Sequence, residues 1–241
     1  MVDVSDLGVT VQGRVALVEI QRPPHNFFDY ALIKKLADTF EELDQNDACR
    51  AIVLCAEGKS FCAGANFGDG SRIATDGSTD TSPNTGADGH LYVEAVRLFT
   101  CKKPIVGAIQ GAAVGGGLGL SLVPDFRVGC PETRFAANFT RLGFHPGFGL
   151  TVTLPRLIGD TRASLMFYTS RRVRGEEAYR IGLLDEFVAL PDVREKAVEL
   201  AQEISENAPL ALIATRQTMR RDLADKVRAA TDHELKEQMW L

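Results

Sequence analysis

The sequence predicts an α/β domain, and three observations carry that expectation. Ala51–Ala56 and Ile105–Ile109 are continuous apolar runs of strand length, the pattern of strands covered on both faces. Between and after such runs, apolar residues recur at helical spacing, as in Leu32, Ile33, Leu36, Phe40 and Leu43. Glycine-rich turns at 61–66 and 111–119 each follow a strand-like run. Strands alternating with helices along one chain give an α/β core.

In chain order, Val9 to Val11 and Val15 to Ile20 flank Gly13 as the arms of a hairpin. Asp29 suits the cap of the first helix, whose stripe begins at Leu32. The stretch from Phe67 to Gly89 is rich in Gly, Ser, Thr and Asp, has no apolar period, and is expected to be a mobile loop. Tyr92, Val96 and Phe99 mark a helix. The second glycine turn opens another, which Pro124 is expected to end, and Phe126 to Val128 is a short strand. Helices are expected at Thr161–Thr169, Gly175–Ile181, Asp192–Glu206 and from Pro209 onward. The third has a stripe of Val193, Ala197, Leu200, Ala201 and Ile204. No repeat or linker divides the chain. Residues 1–190 are read as the core and 191–241 as a C-terminal helical region of the same domain.

The 241 residues suffice for one large core. Hydrophobic residues make up 45% and charged residues 24%, as in an ordinary globular protein. A net charge of −5 argues against nucleic-acid binding, which needs a concentrated basic surface. The start lacks a basic segment followed by an apolar run, and no apolar run approaches the roughly 18 residues of a membrane span. Five cysteines without CxxC spacing fit buried, reduced thiols of a cytoplasmic protein better than disulfides or a metal site.

The chemistry is carried by two turns, Phe61-Cys-Ala-Gly-Ala-Asn66 and Gly111-Ala-Ala-Val-Gly-Gly-Gly-Leu-Gly119. Glycines let a ligand approach the backbone, and a turn that opens a helix presents free N–H groups. Leu120 breaks a dinucleotide-binding GxGxxG, and no Gly-Lys-Ser/Thr follows to make a P-loop.

FCAGAN and KPIVGAIQGAAVGGGLGLSLVPDFRV resemble the F-x-A-G-A-D turn and the K-P…G-G-G segment of the crotonase (enoyl-CoA hydratase/isomerase) superfamily. Arg22-Pro23 with Asn26, the segment RLGFHPGFGLTVTLPRLIG, and Gly175-Glu-Glu-Ala178 with Gly182-Leu-Leu-Asp185 resemble three further elements in the same order. The resemblance spans about residues 10 to 220. It implies a crotonase fold of repeated β-β-α units with a C-terminal helical lobe, assembled as a trimer or a dimer of trimers. It also implies a coenzyme A thioester substrate, with no separate cofactor and no metal.

By the same resemblance, the backbone N–H groups of Ala65 and Gly116 bind the thioester oxygen. Ala63, Gly64, Asn66 and Gly115 flank these donors against the substrate. Two fixed donors stabilise the negative charge that enolate or tetrahedral chemistry builds on that oxygen. Arg22 and Lys59 are candidate cations for the anionic coenzyme. Phe139 is expected to be an apolar wall of the acyl pocket, and Tyr92 maps near a catalytic histidine of dehalogenase relatives.

The family's acids are missing. The two glutamates of its hydratases map to Gly119 and Phe139, and a further acid of isomerase and dehalogenase relatives maps to Gly147. Asn66 replaces the usual aspartate. His145 in Gly143-Phe-His-Pro-Gly147 is the leading candidate acid/base, as its side chain suits proton transfer near neutral pH. His90 at the loop edge is a lesser candidate, and Asp69 and Glu132 are expected to be surface carboxylates. Relatives also continue past the final Glu-Gln-Met-Trp-Leu. The expected label is an enoyl-CoA hydratase/isomerase-like enzyme working through an enolate. The alternatives are a decarboxylase, a retro-aldol lyase, a thioester hydrolase, or an inactive acyl-CoA-binding subunit.

Overall fold

The hairpin forms as the β-branched runs predict. Strands β1 (Leu7–Gln12) and β2 (Val15–Ile20) pair antiparallel about Gly13, with Gln12 opposite Val15. The computed structural model describes residues 6–65, the backbone of 85–86, and 89–241. Most of the expected loop Phe67–Gly89, with Asn66 and Asp69, lies outside the described residues. Helix α1 (Tyr30–Gln45) starts at Asp29, whose side chain accepts the Leu32 amide. Its buried stripe is Leu32, Ile33, Leu36, Ala37, Phe40 and Leu43.

Three strand pairs follow, each feeding a helix. They are β3 (Ala51–Ala56) with β4 (Ser60–Cys62), β7 (Ile105–Ile109) with β8 (Ala112–Val114), and β9 (Phe126–Gly129) with β10 (Arg134–Ala136). The small pair β5 (Thr85–Gly86) and β6 (Gly89–His90) precedes α2 (Leu91–Leu98). Helix α3 (Gly116–Ser121) follows β8, and α4 (Leu150–Ile158) comes after β10. Then come α5 (Asp160–Thr169), β11 (Arg172–Arg174), α6 (Gly175–Arg180), β12 (Glu186–Phe187), α7 (Val193–Ser205), α8 (Pro209–Met219) and α9 (Leu223–Trp240).

Each of the three pairs gives its first strand to a six-stranded sheet, β1-β2-β3-β7-β9-β12, and its second to a four-stranded sheet, β11-β10-β8-β4. From β2 to β12 the larger sheet is parallel. These are the repeated β-β-α units that the resemblance implies. The alternating side chains of β3 serve two cores. Ile52, Leu54 and Ala56 face the cluster that contains the α1 stripe. Val53 and Cys55 face a second cluster closed by Val193, Ala197 and Ala201 of α7. Helix α7 begins just past the expected 190/191 boundary, yet it covers the second face of the main sheet. Helix α9 packs against α2 and α4.

Several elements differ from the sequence expectation. Strands β4, β8, β10 and β11 have three residues each, too few to show a period. Helix α4 (Leu150–Ile158), with Pro155 in its last turn, is not among the expected helices. Helix α3 ends at Ser121, three residues before Pro124.

Candidate active site

Strands β4 and β8 lie side by side and parallel, with Ser60 opposite Ala112 and Cys62 opposite Ala113. The two glycine turns that leave them are therefore neighbours. Gly64 has φ 88°, and a Cβ there would come 2.8 Å from the Val114 carbonyl oxygen and 3.6 Å from the Gly116 amide nitrogen. Gly115 also sits at positive φ, 57°, with its N–H bonded to the Ala136 carbonyl at 2.9 Å. A Cβ on Gly117 would overlap the Cys62 carbonyl, so only a bare backbone lets the turns approach this closely.

The Arg22–Phe28 loop holds the first turn in place. Asn26 is fully buried, and its Nδ2 donates to the carbonyls of Glu57 and Ser60, both at 2.8 Å. The Ala63 amide donates to the His25 carbonyl at 3.0 Å, and the Phe28 amide to that of Gly64 at 3.0 Å. Ala65 bridges Phe28, and Gly116 is the first residue of α3, a position with no intrahelical acceptor. Among the described residues, the amides of Ala65 and Gly116 have no hydrogen-bond acceptor.

Ala65 and Gly116 line one cavity with Ala63, Gly64, Gly115, His90, Tyr92, Asn138 and Gln238. Its apolar walls are Phe28, Leu91, Phe139, Leu142, Phe144 and Phe148. No carboxylate lines it among the described residues. The positions to which the resemblance maps the family's acids are closely packed. A Cβ on Gly119 would sit 2.7 Å from Cδ1 of Phe148. A Cβ on Gly147 would overlap the Tyr92 hydroxyl. Phe139 is itself a wall, and the Phe28 and Phe148 rings meet at 5.5 Å.

Two titratable side chains face this space. His90 caps α2, its Nδ1 accepting the Tyr92 amide at 3.3 Å, and its ring meets that of Tyr92 edge-on at 4.3 Å. Burial pulls its pKa down to about 4, so the ring is neutral at pH 7. With Nδ1 accepting, the proton of the neutral ring is on Nε2. His90 is thus a hydrogen-bond donor rather than a base. The Tyr92 hydroxyl donates to Gln238 Oε1 at 3.1 Å and also bonds the Phe148 backbone. Burial, followed by the Glu234 carboxylate, pushes this phenol well above its ordinary pKa. Gln238 comes from α9, and its Nε2 donates to the His145 carbonyl at 2.9 Å. One turn earlier, the fully buried Glu234 accepts the Gly149 amide at 2.8 Å and the Thr151 hydroxyl at 2.6 Å, which pins the start of α4.

Other predicted residues stand elsewhere. The His145 ring lines a neighbouring cleft with Tyr168 and Trp240. Its Nδ1 bonds the Pro146 carbonyl at 2.8 Å, and its ring lies 5.8 Å from that of His233. Arg22 ties Asp6 at 2.6 Å to Asp29 at 2.9 Å and does not line the acyl cavity. Lys59 and Glu132 line a different cavity. The five cysteines are free and buried; burial pushes Cys62 behind the first turn to about 12, so it stays a thiol. Sequence reasoning missed Phe28, Asn138, Phe148 and Gln238. Phe28 had a local signal, two residues after Asn26; Gln238 had none.

The family model for enoyl-CoA hydratase/isomerase matches residues 10–240. A short-chain-enoyl-CoA hydratase of Clostridium acetobutylicum is 30% identical over 214 residues, covering 88% of this chain and 80% of that protein. An enoyl-CoA isomerase/hydratase of Zymoseptoria tritici is 34% identical over 228 residues, covering 88% and 72%. A solved enoyl-CoA hydratase/isomerase from Pseudoalteromonas atlantica superposes with a TM-score of 0.84 at 25% identity, covering 97% of this chain and 90% of that one. With a family model that spans nearly the whole chain and relatives of this identity and coverage, the chain belongs to the enoyl-CoA hydratase/isomerase family of the crotonase superfamily.

Proposed function

We propose that this protein is an enzyme that acts on a coenzyme A thioester through an oxyanion-stabilised enolate. The observation that carries this reading is the pair of backbone amides, Ala65 and Gly116, on one apolar cavity. A thioester oxygen held between them would gain stabilisation as charge develops. Losing one such donor typically costs about 3–4 kcal/mol at the transition state. Phe139, Phe148 and Phe28 would hold the acyl group, and Tyr92 with Gln238 would close its far end. The coenzyme is part of the substrate. Assembly as a homotrimer or dimer of trimers and a cytoplasmic location belong to the same proposal. No described helix is long and apolar enough to cross a membrane.

Hydration or isomerisation is the label that the relatives' names support. A second reading is favoured by the filled acid positions. Phe148 over Gly119 and Tyr92 at Gly147 leave no room for the family's carboxylates. Reactions that form the enolate without a carboxylate base, such as decarboxylation, fit that pocket better, as does acyl-CoA binding without turnover.

Turnover of crotonyl-CoA separates these readings, followed by loss of conjugated-thioester absorbance and by product mass. Gain of the mass of water supports hydration. Tight binding without turnover sinks the hydratase label and leaves the second reading. Because the His145 ring lines the neighbouring cleft, His145→Ala is expected to change acyl-CoA binding and any turnover less than about twofold, as for a surface site away from the chemistry. A loss of a hundredfold or more would restore His145 as the acid/base.

A further inference from the structure

We propose a second ligand site, for a small oxyanion headgroup carried on an apolar body, in the cleft that α4 and α8 form at the starts of β7 and β9. The cleft encloses about 380 Å³ and shares no lining residue with the acyl cavity. Arg156, Arg216 and Arg220 line its polar side with Asp125, and Leu157 and Leu212 are among its apolar residues.

The charges there do not balance. Asp125 accepts Arg216 Nε and Arg220 Nη1, each at 2.8 Å. Arg127 has its own partner, Asp185, at 2.9 Å. The Arg156 Nη2 donates to the Met219 carbonyl at 2.8 Å and pairs with no carboxylate among the described residues. Two guanidinium groups therefore share one carboxylate and a third has none, three positive charges against one negative.

The donors do not balance either. The Arg216 Nη1 donates to the Cys101 carbonyl and the Arg220 Nη2 to that of Val123 at 3.1 Å, while Arg216 Nη2 and Arg220 Nε, both closed off from solvent, have no hydrogen-bond partner among the described residues. Such unmet buried donors are costly and add to the uncompensated positive charge at this end of the cleft. Burial also pulls the Arg220 pKa down, as expected where positive charge is under-compensated. Carboxylate and phosphate both match the guanidinium fork, so the shared chemistry is an oxyanion. The apolar wall adds the requirement for a hydrocarbon body. This inference does not depend on the reaction proposed above.

Isothermal titration of the full chain with hexanoate, hexyl phosphate and inorganic phosphate tests it. At least one of the two amphipathic anions is expected to bind saturably at one site per chain, and the tighter one identifies the headgroup. Saturating crotonyl-CoA should leave that binding unchanged. Arg156 is exposed and carries no carboxylate pair, so Arg156→Gln should keep the wild-type melting temperature while weakening binding about tenfold or more. Four results would overturn the site: no saturable binding by any probe, inorganic phosphate binding as tightly as hexyl phosphate, displacement by crotonyl-CoA, or unchanged affinity in Arg156→Gln. A change in oligomeric state in Arg156→Gln, read by light scattering, would overturn it too and assign the cleft to a second copy of the chain.

Discussion

At Gly119 the space for a side chain is already taken, because Phe148 Cδ1 would lie 2.7 Å from an added Cβ. Gly119→Glu is therefore expected to destabilise by overpacking, about 1–3 kcal/mol, or several degrees in Tm. Phe148→Gly empties core space and is costly by itself, but the double variant should lose less than the sum of the two single losses, because the two sites couple through contact. Strict additivity of the two single changes in thermal melts would refute the clash. His90 makes a second prediction. Its folded pKa of about 4 lies below the ordinary histidine value of 6.5, so the unfolded chain binds more protons between those values. Its contribution is fully present above about pH 6.5 and is lost as pH falls toward 4. A tenfold difference in proton affinity is worth about 1.4 kcal/mol, so the total is a few kcal/mol at most. Urea unfolding at pH 7 and pH 5 should show a smaller drop for His90→Leu than for the wild type; equal drops would mean that His90 does not titrate in this way.

Helix α9 shapes the acyl cavity without contributing to either glycine turn. Gln238 bonds the Tyr92 hydroxyl and the His145 carbonyl, and Glu234 holds the start of α4 beside Phe148. Gln238→Ala leaves both partners without their bond, at a cost of about 1–3 kcal/mol. Differential scanning fluorimetry should show a Tm lower by several degrees, with weaker acyl-CoA binding measured in parallel. A variant with wild-type Tm and affinity would reduce α9 to a passive cover. The Gly119 and Phe139 departures from the hydratase pattern were readable in the sequence. Their consequence was not, because the rings of Phe148 and Tyr92 and the amide of Gln238 come from segments that no local pattern joins.

For the molecule as a whole, the C-terminal region and the sheet are expected to unfold together. Val193, Ala197 and Ala201 of α7 close the cluster that contains Val53, Val106 and Val128. Ala197→Arg puts a charge where the side chain is fully buried and is expected to lower stability by more than about 3 kcal/mol. Circular dichroism and limited proteolysis should then report one transition. Release of a folded 1–190 fragment would show instead that the two regions are independent.

The sequence by itself determined the class, the main elements and the two turns. Ala51–Ala56 is apolar on both faces, Asp29 and its stripe announce α1, and FCAGAN with the GGG run can be recognised by residue type alone. Such features are local, so the period or the motif contains the physics. Only the tertiary structure decided which residues share the cavity. It turned His145 to a neighbouring cleft, brought in His90 as a neutral donor, and packed aromatic rings against Gly119 and Gly147. Those outcomes depend on the direction of a side chain and on contacts between Gly119 and Phe148, or Tyr92 and Gln238, that arise when distant segments pack together.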